Sequence, residues 1–110
     1  MSQLKKAVKF DQEKPRWDLI PYDSMEEITK VLTFGANKYS DRNWELGMEW
    51  GRLIRATIGH VTLWAMGKNK DSETGLSHLA HAGCCILFLI AYEKREIGVD
   101  NRSKIKGNKK

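Results

Sequence analysis

The stretch Asp71–Tyr92, DSETGLSHLAHAGCCILFLIAY, runs from an acidic loop into a segment apolar on nearly every side, yet it carries two histidines. His78 and His81 stand three residues apart and so share a helix face, with Cys85 a further turn along the same stripe. A desolvated imidazole nitrogen without a partner costs free energy, so each ring must meet a hydrogen-bond partner, a metal or a ligand. As three zinc ligands, His78, His81 and Cys85 match no common spacing, and a cysteine in an apolar helix is most often a small hydrophobe.

Three further polar clusters could do chemistry: Glu26 with Glu27, Lys38 to Trp44, and Asp71 with Glu73. Each also has a structural explanation. Glu27 is the third residue after Ser24, as a capping box requires, and Glu26 can pair with Lys30 one turn on. Asp71 and Glu73 can favour the positive end of the helix that follows them. Taken together, Glu26, Glu27, Asp71 and Glu73 offer the hard oxygen donors that magnesium prefers, completed by waters and substrate phosphates. Lys30, Lys38, Arg42 and Arg55 would then meet phosphate oxygens, and Tyr39 or Trp44 would give a base a face to stack on.

Helical periodicity supplies the frame for these groups. AVKFDQEKPRWDLIPYD, with alternating Val8 and Phe10 and then Pro15 and Pro21, reads as an extended arm over residues 1–23. Met25, Ile28, Leu32, Ala36 and Tyr39 recur at helical spacing and predict a helix from Ser24 to Tyr39. The loop SDRNWELGM leads to a second helix from Trp50 to Gly67, whose stripe of Ile54, Ile58, Val61 and Ala65 adjoins Leu53, Ala56, His60 and Trp64. KNKDSETG then connects to a third helix, Leu76 to Glu96, with an apolar centre fit for the middle of a bundle. The expected class is all-α, with a helical domain over residues 24–99 and a basic, disordered tail over residues 100–110.

One hundred and ten residues suffice for one domain with a single core. Four tryptophans and a long apolar third helix are generous for that length, which predicts apolar surface buried between the subunits of a homo-oligomer. The net charge of +5 suggests nucleic acid only until it is located: +4 lies from Asp100 onward and +2 at Lys5 and Lys6, leaving residues 7–99 at −1. Nucleic-acid binding is therefore not expected. Adjacent Cys84 and Cys85 make a poor disulfide framework and fit a reducing cytoplasm. With no leader pattern, and an apolar run shorter than the roughly 20 residues of a membrane span, a cytoplasmic protein without a membrane partner is expected.

Three stretches together, KFDQEKPRWDLIP, EEITKVLTFGANKYSDRNWELGM and DSETGLSHLAHAGCCILFLIAYE, resemble the dATP/dGTP diphosphohydrolase-like family of phage and bacteria, relatives of the MazG-type nucleoside triphosphate pyrophosphohydrolases. The resemblance runs from about Lys9 to Glu93 and rests on F-G-A-x-K-Y, then N-W, then E-[ST]-G-L-x-H-L-A-H-A. It implies a MazG-like all-α bundle, assembled as a dimer or a dimer of dimers. The implied reaction is cleavage of a purine deoxynucleoside triphosphate to monophosphate and pyrophosphate with magnesium or manganese. The wider superfamily carries E-E-x-x-E on one helix and E-x-x-D on another. Here Glu26-Glu27-Ile28-Thr29-Lys30 and His78-Leu79-Ala80-His81 stand in those places, so one carboxylate is a lysine and two are imidazoles.

On that resemblance Glu27, His78 and His81 are the expected catalytic residues, and Glu26, Glu27, Asp71 and Glu73 the metal carboxylates. Lys30, Lys38, Tyr39, Arg42, Asn43, Trp44, Arg55 and His60 form the expected nucleotide-binding set. The lysine and the imidazoles support a second expectation on the same fold: a non-catalytic protein that sequesters a nucleotide or cyclic-nucleotide signal, of a phage anti-defence type.

Overall fold

The computed structural model describes residues 5–105, so residues 106–110 of the expected basic tail and the first four of the arm lie outside it. Three helices carry the fold: α1, Tyr22–Lys38; α2, Trp50–Ala65; and α3, His78–Arg95. Single 3-10 turns occupy Trp17–Leu19 and Asn43–Leu46. The chain is all-α, with no strand among the described residues beyond the isolated bridges Glu49–Val99 and Lys70–Ser77. No described helix is long and apolar enough to cross a membrane.

Local chemistry explains where each helix begins and ends. Pro21, extended at φ −70° and ψ 105°, is the N-cap of α1, so the helix starts at Tyr22 and the expected capping box of Ser24 and Glu27 does not form. The second helix has no side-chain cap of its own. It ends at Ala65, where Gly67 takes φ +92° and its N–H bonds Trp64, while the N–H of Lys68 reaches Leu63 at 3.0 Å. Ser77 caps α3, its hydroxyl accepting from the N–H of Leu79 at 3.1 Å and Ala80 at 3.3 Å, which places the start at His78 rather than Leu76.

The third helix is the centre of the packing and touches both others. Val31, Ala80 and Cys84 form the buried cluster, with Ile28, Leu32, Leu76 and Phe88 against it. Helices α1 and α3 approach closely at Gly83, where a Cβ would come within 2.8 Å of the Ile28 side chain. Tyr92 is fully buried and its hydroxyl donates to the carbonyl of Trp44. That bond anchors the first loop, whose Trp44 ring stacks on Phe88 at 4.5 Å.

After α3 the chain turns back and straps onto the start of α2. The N–H of Trp50 donates to the Val99 carbonyl at 2.9 Å, its indole to the Ile97 carbonyl at 2.8 Å, and the N–H of Gly51 to Asn101 Oδ1 at 2.7 Å. The expected disordered tail thus begins with residues held against α2.

Candidate functional site

Helices α2 and α3 run antiparallel, so His60 near the end of one meets His78 at the start of the other. Their Nδ1 atoms lie 2.9 Å apart. His81 adds a third ring, stacked on His60 with centroids 4.7 Å apart and planes 12° from parallel. His78 is only 3% exposed, and every buried side-chain nitrogen and oxygen among the described residues has a partner.

Asp71 closes the cluster from the loop ahead of α3. Its Oδ1 accepts from the N–H of Glu73 at 2.9 Å and of Thr74 at 3.0 Å, a turn that folds the acidic loop back over the histidines. Thr74 Oγ1 accepts from the N–H of Leu76 at 3.1 Å and lies 2.7 Å from His81 Nε2 and 3.3 Å from Asp71 Oδ1. With one proton to give, the hydroxyl links carboxylate and imidazole into a chain. Ligand atoms of His60, Asp71 and His78 all lie within 4.8 Å of one another, so this trio could hold a metal ion.

The electrostatics favour neutral rings beside an ionised acid. Burial first, and then the neighbouring His81 and His78, hold His60 below the ordinary histidine range. Burial likewise holds His81 down, against the upward pull of Asp71 and Glu73. Desolvation pushes Asp71 up, but the N–H groups of Thr74 and Glu73 outweigh it and leave the carboxyl below its usual value. By contrast burial pushes the Cys84 thiol up to about 12 and raises that of Cys85, which makes both poor ligands and nucleophiles at neutral pH.

A cavity of about 800 Å³ opens between α1, the first loop and α3. Lys38, Arg42 and Arg95 bring positive charge to its wall, Trp44 and Phe88 bring aromatic surface, and Thr74 and His81 connect it to the histidine cluster. A smaller hollow, lined by Arg52, Arg55 and His60 among others, lies against the other side of His60. Arg42 enters the loop at φ +57°, and Arg95 lies 5.4 Å from the Trp44 ring while pairing with Glu45 at 2.7 Å.

The structure therefore sorts the residues singled out in the sequence into three places. Lys38, Tyr39, Arg42, Asn43, Trp44, Glu73 and His81 line the cavity. His60, Asp71 and His78 form the ligand cluster beside it, and Arg55 faces the smaller hollow. Glu26, Glu27 and Lys30 line neither space, and Lys30 pairs with Glu27 at 2.8 Å, not with Glu26. Of the four acids, Asp71 alone joins the ligand cluster, while Glu73 pairs with Lys38 at 2.8 Å. Sequence reasoning missed Thr74, which links Asp71 to His81, and the place of Arg95 and Phe88 in the cavity wall. Its position between Asp71 and His81, in the loop that carries Asp71, was the available signal for Thr74.

Comparison with known proteins adds a family. The dATP/dGTP diphosphohydrolase of Salmonella phage PMBT28 is 39% identical over 83 residues, covering 76% of this chain and 28% of that protein. The chain thus spans little more than a quarter of the length of the curated relative it matches. No solved structure matches it. The family described as dATP/dGTP diphosphohydrolase, N-terminal, matches residues 5–102, and the chain belongs to that family.

Proposed function

We propose that the chain hydrolyses purine deoxynucleoside triphosphates, dATP or dGTP, to the monophosphate and pyrophosphate with the help of a divalent ion. One observation carries this reading: a cavity of about 800 Å³ that joins a cationic wall and an aromatic stack to the histidine–aspartate cluster. The activity in the phage relative's name supports it.

Lys38 would exchange Glu73 for phosphate oxygens, and Arg42 would brace the polyphosphate beside it. Tyr39, Asn43 and Trp44 would receive sugar and base. Arg55 and His60 would add positive charge and a hydrogen-bond partner from the α2 side, and Lys30 would act from α1. A water attacks the α-phosphorus, His81 or His78 takes up its proton, and pyrophosphate leaves. The neutral state favoured by burial suits His81 to act as that base. Asp71 and Glu73 would supply carboxylates beside the triphosphate, and Glu26 and Glu27, which line neither space, would join them only once Glu27 leaves Lys30. Magnesium or manganese, when bound, offsets charge developing on phosphate oxygens.

Residues 24–99 form the proposed MazG-like unit, acting as a homo-oligomer in the bacterial or phage-infected cytoplasm. Ile58, Val61, Leu79, Ile86 and Ile90 leave apolar surface open on α2 and α3.

Incubating the full chain with dATP or dGTP and either ion should release pyrophosphate and monophosphate in equal amounts, read by chromatography. Absence of product from both nucleotides with both ions overturns hydrolysis. The ion pair between Glu27 and Lys30 favours a second reading, nucleotide sequestration, because it occupies a carboxylate that hydrolysis would use. Tight binding by calorimetry, insensitive to EDTA and without product, would select that reading.

A further inference from the structure

We propose that His60, Asp71 and His78 bind one first-row transition-metal ion of the kind imidazole suits, iron to zinc, in preference to magnesium. The proposal concerns the metal alone, and its test contains no nucleotide, so it stands or falls apart from hydrolysis.

The spacing is that of ligands. Two nitrogens on bonds of about 2.1 Å at right angles lie about 3 Å apart. The observed Nδ1–Nδ1 separation of 2.9 Å matches that of adjacent positions in such a shell. The three ligand atoms all fall within 4.8 Å of one another. Opposite ligands of the same shell are about 4.2 Å apart, so a side-chain rotation of Asp71 closes it.

The surroundings also fit. All the hydrogen bonds to the Asp71 carboxylate among the described residues fall on Oδ1, from Glu73 and Thr74, which fixes the carboxylate and leaves its second oxygen without a partner there. Without an ion, the His60–His78 contact requires one Nδ1–H and one lone pair; with an ion, both rings turn lone pairs inward and the proton moves to Nε2. Simple satisfaction of a half-buried imidazole needs less, as His81 shows with one threonine hydroxyl. Magnesium prefers oxygen donors and loses its water reluctantly, so a site with two nitrogens favours the softer ions.

The test uses the untagged full chain, stripped with EDTA and titrated by calorimetry with Co²⁺, Zn²⁺ and Mg²⁺, with the visible absorption of bound Co²⁺ as a second readout. One Co²⁺ or Zn²⁺ per chain is expected, bound at least about 100-fold more tightly than Mg²⁺. His60→Gln and Asp71→Asn, checked for helicity by circular dichroism, should each weaken Co²⁺ binding at least about ten-fold. If either variant unfolds, the unsubstituted chain decides through its melting temperature, which Co²⁺ or Zn²⁺ should raise and equal Mg²⁺ should not. No saturable Co²⁺ or Zn²⁺ binding, Mg²⁺ binding of equal strength, or unchanged Co²⁺ binding in both folded variants overturns the proposal.

Discussion

The α1 acids and the histidine cluster between α2 and α3 are built differently. On α1, Glu26 is exposed, and Glu27 and Lys30 pair with side chains still 44% and 51% exposed. Between α2 and α3, His78 is 3% exposed and bonds His60 at 2.9 Å, His81 stacks on His60, and the Thr74 hydroxyl links His81 to Asp71. An exposed ion pair contributes little to folding, whereas removing one member of a buried network strands its partners. If both take part in the proposed hydrolysis, chemistry and stability are separable on α1 and joined in the histidine centre.

His78→Ala should have the largest effect on both. It strands His60 and opens a void, so denaturant melts should show a loss of about 2 kcal/mol or more, and turnover of dATP or dGTP should disappear. A variant as stable and as active as the parent would erase the contrast. Glu27→Gln comes next and should act on one property alone. Turnover is expected to fall at least about 100-fold while stability changes by less than about 1 kcal/mol. Undiminished turnover would withdraw α1 from the chemistry and leave the histidine centre by itself.

Acid should strain the histidine centre. The folded state holds His60 and His81 below their ordinary value of 6.5, while the unfolded chain binds protons near it. Their contribution is present in full above that value and is lost as pH falls from it toward the folded values. Melting temperature should thus decline below about pH 6.5, and a flat profile from neutral to pH 5 would show that the rings protonate freely where they are. Lys30→Ala should do least, costing no more than about 0.5 kcal/mol in a urea titration. A larger loss would make the α1 pair a structural element.

Much of the frame was legible in the residues. Three periodic stripes marked three helices, and the apolar run around His78 and His81 announced that imidazoles would be buried. Pro21 moved the start of α1, because a fixed φ just outside the first turn outweighs a serine three residues later. The site was harder to read. His60 reaches His78 only because α2 and α3 run antiparallel at one particular register, which the hydrophobic pattern of neither helix specifies. Glu26 and Glu27 have the composition of a metal site, but residue type does not say whether carboxylates converge. Here one of them turns to a lysine on its own helix. The cavity draws its walls from α1, the first loop and α3, and such convergence is a property of the packing alone.

The strap of residues 97–101 has a practical corollary for anyone trimming this chain. With no cap of its own from Glu49, α2 relies on Val99 and Asn101, about fifty positions downstream, to receive the N–H groups of its opening turn. Gly98 sits so tightly against Met48 that no other residue would pass there. An expression boundary drawn at the end of α3 would cut these tethers, fray the beginning of α2, and loosen the register that delivers His60 to its partner ring.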